Sequence, residues 1–351
     1  MQVVLVGTGV EPIPPTGYGG VERSLAEYAE ALRRAGHAVR IVQTIRRRRP
    51  IDEYWFAWEL GALTVRPGEE VLHASTPVVA NRLAQRHLPY VYTTHSRHWF
   101  LARGLTDRWG AFLERRAVAR SFTTVALTPR LAETITRRLP ERSRPPMTVI
   151  PLGVDSERFR PGPTPGDPTI ALGVGAVIPA KRWEVAAAAL RGTRIRLRLV
   201  GPTPDPALAR RLRESGPVDL LGEVPDERLV GEYQAAGMLL HPSGVELLPG
   251  VVLQAFACGL PVLGGPALAG LVHDGVDGRI LPGPDPALPH REVDEWRAAA
   301  VALAESAATR RAWGQAGRLR AQTEFTWSSV VERHRPIYEQ LLRAPTLPRK
   351  R

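Results

Sequence analysis

The sequence predicts an α/β protein made of two Rossmann-like domains, each built on a parallel sheet. Short apolar strands alternate with amphipathic helices along the whole chain, a pattern typical of parallel sheets with helices on both faces. The alternation occurs as two series, and a proline- and glycine-rich tract at residues 161–168 lies between them. A chain of 351 residues is long enough for two such domains.

Each series is predicted to contribute six strands. In the first series we expect strands at residues 3–6, 39–42, 71–73, 90–94, 124–127 and 147–150, and helices at 21–35, 78–86, 98–120 and 130–139. In the second series we expect strands at 170–174, 197–200, 219–221, 238–240, 261–263 and 279–281, and helices from about residue 292 to the end.

The amino-acid composition is typical of a soluble globular protein without disulfides or membrane spans. Hydrophobic residues make up 44% of the chain, as is ordinary for a soluble globular protein. The single cysteine, Cys258, excludes an internal disulfide, and its apolar helix indicates a small buried hydrophobe rather than a nucleophile. We see no export signal before the first strand and no apolar run near about 20 residues. We therefore expect a cytoplasmic location.

The net charge of +12 is almost entirely due to arginine, because Lys181 and Lys350 are the only lysines. One interpretation is attraction to anions such as nucleotide phosphates, an acidic acceptor or the lipid at the inner face of a membrane. A GC-rich coding bias is an equally good explanation. Nucleic acid is not an expected partner, since the sequence contains no recognised binding module.

The most informative stretch covers residues 241–265. Pro249 and Gly250 open a helix that is apolar on every face and is therefore expected to be buried. Glu246 lies in the loop before this helix, and Gln254 lies about a turn and a half inside it. Buried carboxylates and amides need hydrogen-bond partners. Either residue alone fits a structural role, but together around a helix start they indicate a ligand site.

The loop before the first helix is rich in glycine. It lacks a dinucleotide-binding fingerprint, because Pro12 stands where the third glycine belongs, so we expect no nicotinamide or flavin site. Gly17, Gly19 and Gly20 lie at the helix start, where backbone N–H groups can approach an anion. An ordinary glycine-rich loop explains these residues equally well.

Two histidines and an arginine follow the fourth predicted strand: His95, Arg97 and His98. They stand at the carboxyl edge of the sheet, where open α/β sheets bind ligands. A single histidine at this edge would usually have a structural role, but two histidines and an arginine within four residues favour a ligand-binding site. No carboxylate or thiol completes a metal-binding set, so no metal is predicted.

Lys181 begins the first helix of the second series. A cation at this end opposes the helix dipole, which suggests that an anion binds between them. Lys181 is also the one lysine before the C-terminal tail, and a compact ammonium suits phosphate contact. A solvated lysine at a helix edge is the alternative.

Taken together, these motifs resemble those of the family 4 glycosyltransferases, a retaining, nucleotide-sugar-dependent class with the GT-B fold. The similarity runs from end to end through GYGGVE, VLHAS, TTHS, VIPLGVDSERFRP, GAVIPAK, LLGEVPDERL, PSGVELLPGVVLQAFACGLPVLGG, HDGVDGRILP and FTWSSVVERHRPIY. It implies two Rossmann-like domains whose parallel sheets face a central cleft. These are an acceptor-side domain at 1–158 and a nucleotide-sugar-binding domain at 159–325. Residues 326–351 form a helix crossing back to the first domain and a basic tail.

The resemblance also implies roles for the catalytic residues. Lys181 matches the family's pyrophosphate-binding lysine, and Glu246 matches the glutamate that contacts hydroxyls of the donor sugar. His95 matches the histidine near the anomeric centre of the transferred sugar. Gln254 stands at the position that holds the ribose hydroxyls, where the family has a second glutamate.

Other positions are implied to bind the donor. Gly19 and Gly20 match the loop that closes over the donor phosphates, and Pro249, Gly250 and Val251 form the segment after the first glutamate.

One departure concerns the cations. Ala176 stands where an arginine is usual beside the lysine, which leaves Arg182 to supply the second cation.

The predicted function is metal-independent transfer of a sugar from a UDP- or GDP-linked donor to an acceptor hydroxyl, with retention of configuration and without a cofactor. The acceptor is a glycan, a lipid-linked molecule or a small molecule, and the basic charge permits peripheral membrane contact. One alternative is an inverting GT-B transferase or a phosphorylase that uses His95 or His98 as base. The other is a non-catalytic nucleotide-sugar-binding partner subunit.

Overall fold

The structure, a computed structural model, describes residues 1–15, 19–44, 52–66, 68–95, 99–100, 104–284 and 289–344. The chain forms two compact units. Unit 1 comprises Met1–Gly153 with Trp327–Arg351, and unit 2 comprises Val154–Thr326. The sequence places the corresponding domain boundaries after residues 158 and 325.

Unit 1 contains a six-stranded parallel sheet in the order β2-β1-β3-β4-β5-β6. Its strands are β1 (Gln2–Val6), β2 (Ala38–Val42), β3 (Glu70–Ala74), β4 (Val91–Thr93), β5 (Thr123–Ala126) and β6 (Met147–Val149). Its first five helices are α1 (Gly20–Arg34), α2 (Asp52–Glu59), α3 (Pro77–Gln85), α4 (Leu105–Ala119) and α5 (Pro129–Arg138).

Unit 2 contains a second six-stranded parallel sheet, in the order β12-β11-β10-β7-β8-β9. Its strands are β7 (Asp167–Val174), β8 (Arg196–Val200), β9 (Val218–Gly222), β10 (Ala236–His241), β11 (Val262–Gly264) and β12 (Gly278–Ile280). Its helices are α6 (Trp183–Leu190), α7 (Pro206–Ser215), α8 (Asp226–Ala235), α9 (Gly250–Ala257), α10 (Pro289–Glu305) and α11 (Ala307–Thr323).

The predicted alternation of strands and helices is confirmed. Central strands such as β1 and β10 are apolar runs that are almost wholly buried, as expected for strands covered on both faces. The helix α9 is buried as predicted, and burial raises the pKa of the Cys258 thiol at its end to about 12. The helix α2 was not predicted, because its sequence lacks a helical apolar period.

The last helix, α12 (Trp327–Arg343), belongs to unit 1 and packs against α1. Its Tyr338 hydroxyl lies 2.6 Å from His73 Nδ1 on β3 and 2.7 Å from the Tyr28 hydroxyl on α1. His73 Nε2 in turn lies 2.7 Å from Thr93 Oγ1 on β4. This buried network fixes the C-terminal helix to the first sheet. None of the described helices is long and apolar enough to cross a lipid bilayer.

Candidate active site

The candidate site in unit 2 lies where the order of strands in the sheet reverses. From β7 the chain continues outward to β8 and β9, and it then returns to place β10 on the other side of β7. A crevice forms at such a switch point, outside the carboxyl ends of the two central strands, and open α/β sheets bind ligands there. The loops after β7 and β10 carry the predicted Lys181 and Glu246.

Three side chains meet at this edge. Lys181 Nζ donates a hydrogen bond of 2.6 Å to Glu246 Oε1, and the same oxygen lies 3.0 Å from His241 Nε2. His241 is the last residue of β10 and is fully buried, and its ring meets Trp183 edge to face. Lys181 and Glu246 are only 15% and 13% exposed. The structure thus brings together two predicted residues and adds His241.

The charges of this cluster follow from its surroundings. Burial alone raises the pKa of the Glu246 carboxyl, but the hydrogen bonds from His241 and Lys181 and the positive charge of Lys181 outweigh burial and lower this pKa to about 2. Burial lowers the pKa of the His241 imidazole, so the ring is neutral at pH 7. Glu246 is therefore an ionised acceptor at neutral pH, paired with one ammonium and hydrogen-bonded to one neutral imidazole.

The two loops are joined through their backbones. A short 3-10 turn, Pro179–Lys181, precedes α6, and the Gly244 amide of the other loop donates to the Ala180 carbonyl at 3.3 Å. The Ser243 hydroxyl donates to the same carbonyl at 3.4 Å. These contacts hold the lysine loop and the glutamate loop side by side, which explains how residues 65 positions apart pair.

Arg182 points to a different partner. It adopts the left-handed conformation, with φ 56° and ψ 35°, at the junction of the 3-10 turn and α6. Its Nη2 donates to Glu292 Oε2 on α10 at 2.6 Å, and both side chains are largely buried. The predicted second cation thus has its charge balanced by a carboxylate, and its role toward the donor stays a prediction.

Two helix N-termini open beside the cluster. Arg182 and Pro249 are the N-cap residues of α6 and α9, and neither helix has a side-chain cap. Uncapped first-turn N–H groups and the positive end of the helix dipole favour an anion. Gly250 and Val251 lie in this first turn of α9, as the sequence predicts.

Gln254 lies half-buried on α9. Its Oε1 lies 3.0 Å from the Tyr233 hydroxyl of α8, and the single proton of that hydroxyl is shared between Gln254 Oε1 and the Val251 carbonyl. Within the described ranges no protein group bonds Gln254 Nε2. The amide is therefore oriented by Tyr233 and keeps donor capacity for a ligand, while a role in holding ribose stays a prediction.

The remaining predicted residues lie in unit 1. Gly19 precedes α1 and Gly20 is its first residue, with no side-chain cap on that helix. His95 follows β4, and burial lowers the pKa of its imidazole to about 4. It lines a pocket with Ser75 and His334. Gly17, Arg97 and His98 lie outside the described residues.

The residues missed from the sequence are His241, Tyr233 and Glu292. His241 closes a buried strand five residues before Glu246, and a polar residue at a strand's carboxyl end is a signal that could have identified it. Tyr233 and Glu292 are distant in sequence from their partners, and nothing local marks them. Among the described residues, no group of three or more His, Cys, Asp or Glu side chains is placed to hold a metal ion.

Solved structures share this architecture. The sucrose-phosphate synthase from Thermosynechococcus elongatus aligns with a TM-score of 0.83 at 21% identity, over 98% of this chain and 100% of that one. HepE from Anabaena, solved in complex with UDP-glucose, aligns with a TM-score of 0.73 at 15% identity, over 97% and 100% of the two chains. The fold is that of the GT-B glycosyltransferases.

Sequence relationships identify the family. A model described as "Glycosyltransferase Family 4" matches residues 18–158, and one described as "Glycosyl transferases group 1" matches residues 170–304. The chain belongs to the family 4 glycosyltransferases. The D-inositol 3-phosphate glycosyltransferase of Nocardia farcinica is 31% identical over 62% of this chain and 52% of its own length. The chain spans about half the length of the first curated relatives it matches.

Proposed function

We propose that this chain transfers a sugar from a nucleoside diphosphate sugar to an acceptor hydroxyl, with retention and without a metal. The observation that carries the proposal is the Lys181–Glu246–His241 cluster at the switch point of unit 2, beside two uncapped helix N-termini. A cation, an ionised acceptor and bare backbone donors are the groups that a sugar linked to a diphosphate requires.

In this mechanism the bond between the anomeric carbon and the diphosphate oxygen breaks, and negative charge accumulates on the leaving phosphate. Lys181 and the N-termini of α6 and α9 stabilise that charge by preorganised electrostatics. Glu246 accepts hydrogen bonds from hydroxyls of the donor sugar and so fixes the ring.

The acceptor oxygen forms the new bond to the anomeric carbon on the face that the phosphate leaves. Its proton passes to the departing phosphate oxygen, so no protein base is needed. Retention follows from this same-face replacement.

The neutral His241 donates through Nε2 to Glu246 and orients its carboxylate. This leaves the second carboxylate oxygen for sugar hydroxyls. His241 is thus a positioning residue of the donor site, and Tyr233 has the same relation to Gln254.

The donor and acceptor classes are proposals guided by relatives. The UDP-glucose complex of HepE makes UDP-sugars the first donors to assay, followed by GDP-sugars. The name of the curated relatives makes D-inositol 3-phosphate the first acceptor to assay. A glycan or a lipid-linked acceptor is tested next, and a cytoplasmic location remains part of the proposal.

A second candidate is an inverting transferase that uses His95 as base, since burial leaves this imidazole neutral at pH 7 and able to accept a proton. The anomeric configuration of the product separates the two. Inversion would contradict the retaining mechanism.

The test is a screen of UDP-, GDP- and ADP-sugars by thermal shift and by nucleotide release with chelator present. We expect one nucleotide class to stabilise the protein and to be released when acceptor is added. Glu246→Ala should abolish the release without unfolding the chain. Nucleotide binding without transfer to any acceptor would instead indicate a non-catalytic binding subunit.

A further inference from the structure

Two neighbouring cations at the start of α6 are each neutralised by a carboxylate from a different part of unit 2. Lys181 pairs with Glu246 of the loop after β10, and Arg182 pairs with Glu292 of α10, each at 2.6 Å. These charges sum to zero in the free protein. In the proposed function, on which this inference rests, the same edge of the sheet binds a diphosphate, which carries several negative charges. Binding therefore requires that a cation changes its partner.

The pair between Arg182 and Glu292 leaves much of the bonding capacity of both groups unused. Arg182 Nη2 donates to Glu292 Oε2, whereas Glu292 Oε1 is buried and has no hydrogen-bond partner among the described residues. A guanidinium matches a carboxylate or a phosphate best when it donates through parallel N–H groups. A buried carboxylate oxygen without a donor is also unfavourable. The contact is thus one that a better anion can replace.

The backbone of Arg182 places its side chain along the edge of the sheet. Its φ of 56° is left-handed, a conformation that residues other than glycine rarely adopt, and among the described residues only His87 shares it. A Cβ added to Gly244 would lie 3.4 Å from Arg182 Cδ, so the Arg182 stem lies against the loop that carries Glu246. Strained backbone of this kind is typical of functional sites.

The packing of α10 on α6 has other contacts besides this pair. Arg297 of α10 donates to the carbonyls of Ala188 and Ala189 in α6, at 3.2 and 3.0 Å. Apolar residues of both helices also belong to one buried core. A structural role in joining the two helices therefore does not explain the strained and incompletely bonded Arg182.

We propose that Glu292 is a positioning residue that withholds Arg182 from the nucleotide site until a diphosphate binds. The phosphate oxygens then replace Glu292 as the partner of the guanidinium and accept its N–H groups in parallel. When the nucleoside diphosphate leaves after transfer, Glu292 pairs with Arg182 again. Arg182 thus supplies a second cation to the leaving phosphate, and Glu292 limits how tightly the product nucleotide is held.

The fold also stabilises the carboxylate while its partner is withdrawn. Glu292 lies in the first turn of α10, where unpaired N–H groups and the positive end of the helix dipole favour a negative charge. Its side chain is only 7% exposed, so the release of Arg182 still has a cost. A ligand must carry enough negative charge to exceed that cost. A diphosphate does so, and an uncharged sugar or nucleoside does not.

The test is isothermal titration of the full chain with UDP and with uridine, which has no phosphate. GDP or ADP and the matching nucleoside replace them if the nucleotide screen selects another base. Glu292→Gln removes the competing charge and keeps the shape, so UDP should bind about tenfold more tightly. Arg182→Ala should weaken UDP binding about tenfold or more. The affinity for uridine should stay the same in both variants.

A double variant separates this restraint from a general structural effect. If Glu292 acts through Arg182, then adding Glu292→Gln to Arg182→Ala should not change the affinity for UDP any further. Glu295→Gln is the matched control, because it removes a carboxylate of the same helix that pairs with Arg291 at 2.6 Å. This control should bind UDP as the wild type does. Melting temperatures establish that each variant is folded.

Glu292→Asp is the second variant, for use if Glu292→Gln does not fold. It keeps the charge but shortens the side chain, which weakens the contact with Arg182. UDP should bind to it more tightly than to the wild type, by a smaller factor than to Glu292→Gln.

Unchanged or weaker UDP binding by Glu292→Gln would overturn the inference, and so would equal tightening in the Arg182→Ala background. Equal changes for UDP and uridine would also overturn it, because the effect would then not depend on phosphate. These results contradict the role of Glu292 alone and leave the nucleotide site in place. A wild-type chain that binds no nucleoside diphosphate would instead contradict the proposed function and this inference together.

Discussion

The roles of Lys181 and Glu246 can be separated by their effects on the nucleotide and on the sugar. In the free protein the Lys181 ammonium is paired with Glu246 at 2.6 Å. In our account the ammonium binds the diphosphate, while the carboxylate binds sugar hydroxyls. Removing the carboxylate charge by Glu246→Gln leaves the lysine unpaired and removes an anion from beside the phosphates. UDP should therefore bind more tightly to this variant, whereas transfer should fall.

The magnitudes follow from the contacts. A hydrogen bond to a charged group contributes roughly 1.5–3 kcal/mol, so Lys181→Ala should weaken UDP binding about ten- to a hundredfold. Removing the Glu246 charge should tighten UDP binding about tenfold, since a carboxylate near a phosphate costs on the order of 1–2 kcal/mol at an effective dielectric constant near 20. Turnover of the sugar nucleotide by Glu246→Gln should fall at least about tenfold.

Isothermal titration with UDP and with UDP-glucose measures both affinities, and nucleotide release measures turnover. Glu232→Gln is the matched control, because Glu232 pairs with Arg198 at 3.2 Å elsewhere in unit 2 and is 12% exposed. It should leave both affinities unchanged. Weaker UDP binding to Glu246→Gln, or wild-type turnover by Glu246→Gln and Lys181→Ala, would refute the assignment.

Three further predictions concern the rest of the site and unit 1. Gln254→Glu should keep the hydrogen bond from α8 and tighten nucleotide binding several-fold on titration; unchanged affinity would argue against a ribose contact. Burial lowers the pKa of His334 to about 4 from a usual 6.5, so the folded state loses about 2 kcal/mol per such histidine as pH falls from 7 to 5. Replacing His334 by leucine should flatten the fall of the unit 1 melting temperature with pH, and His290→Gln, at an exposed position, should not. Tyr338→Phe leaves two buried partners without their hydrogen bond and should cost about 1–3 kcal/mol in urea unfolding, against almost nothing for Tyr54→Phe at the surface.

The strands and most helices could be predicted because their signals are local. Strands such as β7 and β10 are short apolar runs bounded by proline or glycine, and α9 is apolar all round. The helix α2 escaped prediction since three of its eight residues are exposed aromatics, which give no inward-facing period. Aromatic side chains on the surface therefore hide the apolar spacing from which a helix is predicted.

Individual residues of the candidate site could be predicted from the sequence, but the hydrogen bonds and ion pairs that connect them could not. Glu246 is marked by a carboxylate in apolar surroundings, and Lys181 by being the one lysine before the C-terminal tail, at a helix start; both signals are local. Arg182 pairs with Glu292, a residue 110 positions later in the chain, because the fold packs α10 against α6. No local sequence pattern predicts this contact. The same holds for Tyr233 and Gln254.

The most direct test of the central claim is hydrogen–deuterium exchange of the wild-type chain with and without UDP-glucose or GDP-mannose. We predict that one of these donors slows exchange at residues 175–184 and 242–254, the loops after β7 and β10 and the first turns of α6 and α9. Lys181→Ala should lose this protection. Protection confined to other segments, or equal protection in wild type and Lys181→Ala, would contradict a donor site at this edge of the sheet.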